Sequence, residues 1–87
     1  MSITWDAGTQ DIFKQMVAKM PVFVRGQAEK EIRAKAEKLV QADNRAEITE
    51  KDLVDALFAE TPFGFQGMMK NDLLSFGVDY TKYGYAK

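Results

Sequence analysis

Five acidic side chains lie close together in the middle of the chain and are the first candidates for chemistry: Asp43, Glu47, Glu50, Asp52 and Asp55. Closely spaced carboxylates can bind a divalent cation or serve as the acid and base of a hydrolase. Their spacing does not follow the calcium-loop pattern, and the glycine that such a loop requires is absent. We therefore interpret these residues as a solvated acidic face and expect no metal.

The sequence contains no cysteine and no histidine. This composition removes the thiolate nucleophile, the zinc ligands and the side chain most often used for proton transfer near neutral pH. The segment Gly64-Phe65-Gln66-Gly67 has two glycines, but it lacks the Lys-Ser/Thr ending and the preceding strand of a phosphate-binding loop. We predict that the protein is not an enzyme and uses no cofactor.

The charges are divided between two parts of a chain whose net charge is −1. From Lys19 to Lys38 there are six basic and three acidic residues, whereas from Asp43 to Glu60 there are six acidic and two basic residues. A basic helix can bind DNA, so nucleic-acid binding stays open as an alternative function. The interspersed acids and the negative overall balance argue against it.

The last third of the chain is rich in methionine and aromatic residues, which are enriched at protein interfaces. These side chains either cover the helical core or form a docking surface. We predict docking on a larger protein, because an aromatic tail with few charges is a poor solvating segment. The predicted partner-binding residues are Phe63, Phe65, Met68, Met69, Phe76, Tyr80, Tyr83 and Tyr85.

Two further residues are candidate contacts with a ligand or partner. Trp5, the single tryptophan, either anchors the first helix or contacts a partner or a tetrapyrrole face. Arg25 either pairs with an acid such as Asp52 or Asp55 or binds an external carboxylate. The neighbouring Phe23 is expected to be buried between the first and second helices.

Helical periodicity places these candidates on four segments. The first runs from Asp6, a predicted N-cap, to Met20. The second carries an apolar stripe from Val24 to Val40 and ends near Ala42. The third opens at Thr49, with Asp52 completing a capping box, and ends at Thr61-Pro62. A short fourth helix covers residues 66–76, with Gly77 as its stop, and the remaining residues form an extended arm. No strand-type alternation is long enough to indicate a sheet.

The run Pro21-Val22-Phe23-Val24-Arg25, the small or apolar positions that follow it, the later Ile48-Thr49-Glu50 and Trp5 near the start form a recognisable pattern. It resembles the small C-terminal domain of the B subunit of light-independent protochlorophyllide reductase, in a free-standing version. The resemblance covers Trp5 to about Phe58. It implies a role in chlorophyll or bacteriochlorophyll biology and brings no catalytic residue, since the catalytic machinery of that enzyme lies in other domains and subunits.

The sequence thus predicts an all-α protein: a three-helix bundle over residues 1–62, then a fourth short helix and an extended C-terminal arm over residues 63–87. We expect a cytoplasmic accessory protein of chlorophyll biosynthesis or of a photosynthetic complex that docks on a larger protein. A small soluble subunit of a photosynthetic reaction centre is an alternative. No apolar stretch is long enough to span a bilayer, and peripheral membrane association stays open.

Overall fold

Four α-helices make up most of the structure, a computed structural model that describes residues 2–87. The helices are α1 (Ala7–Ala18), α2 (Val22–Ala42), α3 (Glu50–Glu60) and α4 (Gln66–Ser75). They are accompanied by two short strands, β1 (Thr4–Trp5) and β2 (Glu47–Ile48), and by two 3₁₀ helices, η1 (Phe63–Phe65) and η2 (Tyr80–Tyr83). The prediction of an all-α protein with a short fourth helix is confirmed.

The ends of the helices are set by local signals that the sequence contains. The Asp6 carboxylate accepts a hydrogen bond from the backbone N–H of Thr9 at 3.0 Å and so caps α1. At the end of α4, Gly77 adopts a positive φ of 80°, and the N–H of Val78 donates to the carbonyl of Leu73 at 2.9 Å. This arrangement is a Schellman motif, which glycine adopts without steric cost and which turns the chain back.

The two short strands form a parallel pair that joins distant parts of the chain. Thr4 pairs with Glu47 and Trp5 with Ile48, so β1 lies beside the segment that leads into α3. The sequence pattern had indicated no sheet, because strands of two residues are too short to produce a recognisable alternation. The pairing fixes the start of α1 relative to the start of α3.

A single core unites side chains from all four helices, from β2 and from the segment after α4. Its largest members include Phe13 and Met16 of α1, Ile32 of α2 and Leu57 of α3. The C-terminal part contributes Met69, Leu73, Val78 and Tyr80 to the same cluster. The segment predicted as an extended arm therefore differs in the structure, because after Gly77 the chain folds back onto the helices and adds buried side chains to the same core.

Phe23 is the clearest difference between the predicted and the observed core. We expected it between the first two helices, but its side chain is 88% exposed. Helix α2 begins at Val22, so Phe23 lies in its first turn, nine residues before the buried Ile32. Nine residues rotate an α-helix by about 900°, which places Phe23 on the side opposite Ile32.

Replacing Tyr80 by alanine should show that the C-terminal segment belongs to the core. The Tyr80 side chain is 2% exposed, so Y80A removes a buried aromatic ring and should lower the free energy of unfolding by about 3–5 kcal/mol. F63A is the matched control, because Phe63 is 90% exposed and its loss should change stability by less than about 0.5 kcal/mol. Urea unfolding followed by circular dichroism measures both. Equal stabilities of the two variants would contradict the core assignment.

Candidate functional site

Three large apolar side chains project into solvent where α4 begins. Phe63 is 90%, Phe65 61% and Met68 67% exposed, and we call this set the α4 entry surface. The backbone beneath it is well fixed. The Gln66 side-chain amide donates to the carbonyls of Phe58 and Thr61 at 3.3 and 3.4 Å and so links the start of α4 to the end of α3. These three predicted partner-binding residues are therefore displayed on a defined scaffold.

A second exposed apolar pair, Val22 and Phe23, lies where α1 turns into α2, and we call it the corner surface. Arg25 holds this corner: its Nη2 donates to the carbonyls of Ala18 and Met20 at 3.0 and 2.9 Å. The guanidinium thus satisfies carbonyls at the C-terminal end of α1 that lack helical partners. The predicted pairing of Arg25 with Asp52 or Asp55 is wrong, because the side chain is used to close the turn.

The corner is also tied to α4. The Lys19 ammonium lies 3.8 Å from the Asp72 carboxylate and 5.3 Å from the centre of the Phe76 ring. Phe76, a predicted partner-binding residue, is only half-buried and packs against the edge of the core. Its contact with Lys19 is a cation–π interaction, which joins the end of α4 to the α1–α2 turn.

The other predicted partner-binding residues are not displayed. Met69 and Tyr80 are buried in the core, and Tyr83 and Tyr85 are half-buried against α3. The hydroxyl of Tyr83 donates to the Glu50 carboxylate and that of Tyr85 to the Asp55 carboxylate, each at 2.6 Å. These tyrosines therefore serve the fold of this chain. Their acceptors lie 33 and 30 residues away in sequence, beyond the reach of local pattern analysis.

Burial and hydrogen bonding change the acidity of both tyrosines. Burial, together with the hydrogen bond to Asp55, raises the pKa of Tyr85 to about 12. Burial and the hydrogen bond to Glu50 also raise the pKa of Tyr83. The neighbouring Lys82 is hydrogen-bonded to Glu50 as well, and this contact raises the pKa of its ammonium group. The neutral phenols and the charged lysine are thus the forms that the folded protein favours.

Trp5 packs on Phe13 beside a small cleft between α1 and α2. The two rings are stacked, with centroids 4.8 Å apart and an interplanar angle of 11°. The cleft has a volume of about 130 Å³ and is bordered by the charged side chains of Lys14, Glu29 and Arg33. Ligand pockets usually measure about 300–1,000 Å³, so the cleft is too small for a tetrapyrrole. The stacking supports the interpretation of Trp5 as an anchor of the first helix.

One residue of the predicted acidic face is buried. Asp52 is 3% exposed and receives two hydrogen bonds from Arg45, Nη2 to Oδ1 at 2.7 Å and Nη1 to Oδ2 at 2.9 Å. Its Oδ2 also accepts from the backbone N–H of Thr49 at 2.8 Å, which is the contribution expected of the acid in a capping box. The interpretation of Asp52 as a solvated residue is therefore wrong, whereas its place in the cap of α3 is confirmed.

The acidity of Asp52 reflects these contacts. Burial by itself would raise the pKa of the carboxyl, but the hydrogen bonds from Arg45 and Thr49 outweigh it and hold the pKa below its ordinary value. Hydrogen bonding to Asp52 and Asp43 in turn raises the pKa of the Arg45 guanidinium. Asp52 is thus an ionised structural residue and has no proton to exchange near neutral pH.

The outer face of α2 carries mixed charges. Arg33 donates to Glu29 at 2.7 Å, and these two residues border a shallow depression of about 410 Å³ that also contacts Lys30 and Glu37. Glu29 and Glu37 therefore lie among the basic side chains of this face and would repel the phosphate backbone of a nucleic acid. Across residues 2–87, no three acidic side chains are grouped to hold a metal ion. No helix in that range has both the length and the apolar character needed to cross a bilayer.

Comparison with known proteins gives no match: no family model fits the sequence, and no curated protein or solved structure is similar to it. The functional interpretation therefore depends on the residues themselves. Among the described residues, the most exposed large apolar side chains lie in the α4 entry surface and the corner surface.

The Asp52 carboxylate should stabilise the fold in a pH-dependent way. D52N weakens the contacts with Arg45 and Thr49 and should lower the free energy of unfolding at pH 7 by about 1–3 kcal/mol. Because the folded-state pKa of Asp52 is depressed, this contribution is present above about pH 4 and is lost as the pH falls through the folded-state value.

Exposed Asp43 also accepts from Arg45 and provides the control. D43N should cost less than about 0.5 kcal/mol at any pH. Urea unfolding at several pH values between 2 and 7 compares the two variants. A D52N deficit that is independent of pH would contradict the assigned role of the carboxylate.

The raised pKa values of the C-terminal tyrosines predict delayed phenol ionisation. In the folded protein Tyr85 should ionise near pH 12, whereas an unfolded tyrosine ionises near pH 10. The stabilisation that it provides is therefore complete below about pH 10 and is lost as the pH rises through 12. Absorbance at the phenolate wavelength follows the titration. Y85F should remove the component that ionises near pH 12 and leave that of Tyr83; an unchanged titration would contradict the assignment.

Proposed function

We propose that this protein is a non-catalytic accessory protein that docks on a larger protein through the α4 entry surface and the corner surface. The single observation that supports this most strongly is the presentation of Phe23 and Phe63, which are 88% and 90% exposed on helix starts fixed by hydrogen bonds. Ordered aromatic side chains make effective interface anchors, because little conformational entropy is lost when they enter a pocket.

The two surfaces share a local design. A proline precedes each, Pro21 before α2 and Pro62 before η1, with nearly identical backbone angles of φ −55°, ψ 141° and φ −56°, ψ 144°. Proline fixes its own φ, so each turn enters the following helix with a defined backbone geometry. Apart from Lys70, no charged residue lies between Thr61 and Asn71. These features match the apolar centre of an interface more closely than a solvated turn.

The size of the α4 entry surface favours a larger partner over a second copy of this chain. Two largely exposed phenylalanines and a methionine offer on the order of 400 Å² of apolar surface. A stable complex usually buries about 800 Å² on each partner. A symmetric pair of these patches would bury only about half of that area on each copy. A larger protein with pockets for the projecting rings can enclose them together with the surrounding backbone.

The proposed setting is chlorophyll or bacteriochlorophyll biosynthesis or a photosynthetic complex, with the cytoplasm as the predicted compartment. This part of the proposal is supported by the resemblance of the Pro21–Arg25 segment and its surroundings to the protochlorophyllide reductase domain. In that segment Arg25 closes the α1–α2 turn and Phe23 projects from it. A small soluble subunit of a reaction centre would use the same surfaces in the same way.

The docking surfaces can be tested with matched variants. Epitope-tagged wild-type protein is expressed in the source organism, and its complexes are separated by size and identified by mass spectrometry. F23S and F63S should shift the protein from the large complex to the monomer fraction, with a loss of affinity of at least about tenfold for a hot-spot residue. L74A is the control, because Leu74 is an exposed apolar residue outside both surfaces.

A wild-type protein that elutes alone, or F23S and F63S variants that remain in the complex, would overturn the docking proposal. The identity of the partner tests the setting separately. A chlorophyll-biosynthetic enzyme or a photosynthetic polypeptide supports it, and a partner from another process contradicts it while leaving the docking surfaces in place.

A further inference from the structure

Two adjacent methionines near the start of α4 have opposite environments. Met68 is 67% exposed, whereas Met69 is 5% exposed and lies in the core with Leu73, one helical turn further on. Consecutive residues of an α-helix differ by about 100° in direction, so α4 turns one sulfur towards solvent and the other towards the core. Oxidants in solution therefore reach Met68 far more readily than Met69.

The other methionines that the structure describes are also shielded. Met16 is 2% exposed within the core, and Met20 is partly buried where it packs against the core at the α1–α2 turn. The sequence contains no cysteine that would compete for an oxidant. The thioether of Met68 is therefore the most accessible sulfur in residues 2–87.

Hydrogen peroxide oxidises an accessible thioether in one two-electron step. The sulfur lone pair attacks one peroxide oxygen, the O–O bond breaks, and the proton of the transferred oxygen passes to the leaving hydroxide, which departs as water. The sulfur is oxidised to a sulfoxide and the peroxide is reduced. This step converts a flexible apolar side chain into a polar one, and methionine sulfoxide reductases reverse it.

The position of Met68 gives this change a consequence for docking and none for the fold. Met68 is one of the three residues of the α4 entry surface, so a partner that covers this surface would have to strip water from the sulfoxide oxygen. Burying a polar group without a hydrogen-bond partner is unfavourable. The free protein pays no such cost, because its Met68 side chain is already largely in solvent.

We propose that Met68 is a site of oxidation by peroxides and that its sulfoxide form weakens docking through the α4 entry surface. The selectivity for Met68 follows from its exposure alone, whereas the effect on docking rests on the proposed function. A bound partner covers Met68, so the modification acts on the free protein and the complex shields the sulfur.

Peptide mapping of the purified full-length protein tests the selectivity. The protein is treated with hydrogen peroxide, and tandem mass spectrometry assigns the sulfoxide to each methionine. Met68 should be oxidised at least about tenfold faster than Met69 and Met16, because susceptibility follows exposure. The same treatment in urea is the control, since unfolding should bring the three rates close together. Equal rates for Met68 and Met69 in the folded protein would overturn the proposal.

Separation of complexes by size tests the effect on docking. Purified tagged protein, with or without peroxide treatment, is added to an extract of the source organism. Oxidised wild type should enter the large complex several-fold less than untreated protein while keeping its circular dichroism spectrum, and untreated M68Q, with a polar side chain of similar size, should behave like it. Peroxide should not change the complex fraction of M68L, whereas M20L should remain as sensitive to peroxide as wild type.

Oxidised wild type that enters the complex as readily as untreated protein, or M68L that stays sensitive to peroxide, would overturn this inference. The F63S variant separates that result from a failure of the proposed function. If F63S leaves the complex and oxidised wild type stays, docking through the α4 entry surface holds and the role of Met68 is wrong. If F63S stays as well, the docking surface itself is wrong.

Discussion

The ion pair between Arg45 and Asp52 is the contact on which the arrangement of the helices depends. Arg45 lies just after α2, where its backbone N–H donates to the carbonyl of Val40, and its guanidinium holds the carboxylate that caps α3. It also reaches the carbonyl of Glu47 in β2 at 3.4 Å. One side chain thus fixes the end of one helix, a strand and the start of the next helix. The buried carboxylate accepts from two guanidinium nitrogens and from the backbone N–H and hydroxyl of Thr49, and it is costly to leave unpaired, so alternative packings are penalised.

The Pro21–Arg25 segment combines two roles that a hydrophobicity pattern cannot separate. Arg25 faces back towards α1 and satisfies carbonyls at the end of that helix, whereas Phe23 lies on the opposite side of α2 from the core. A small domain buries a modest interior and has little reason to leave Phe23, Phe63 and Phe65 outside it. Their exposure is explained if they are buried in a complex, which is why the docking proposal rests on position as well as on composition.

Features of short sequence range could be predicted, and those of long range could not. The Asp6 cap, the role of Asp52 in the cap of α3 and the Gly77 stop each involve residues within one turn of a helix, and all three are observed. The burial of Tyr80 and the bonds from Tyr83 and Tyr85 to α3 join residues far apart in sequence. Phe23 was predicted to be buried because it is apolar, although its position nine residues before Ile32 places it on the opposite side of α2. Phe63, Phe65 and Met68 are exposed, as a docking surface requires, and their role in partner binding stays a prediction.

The parallel pairing of β1 with β2 has a consequence for the order in which the molecule can assemble. Trp5 and Thr4 have no strand to join until Ile48 is in place, and the chain between them comprises α1 and α2. During synthesis on the ribosome, the strand pair therefore cannot form until more than half of the polypeptide has emerged. Closing so long a loop is entropically unfavourable, which delays the native contacts of the N-terminal residues to a late, cooperative step of folding.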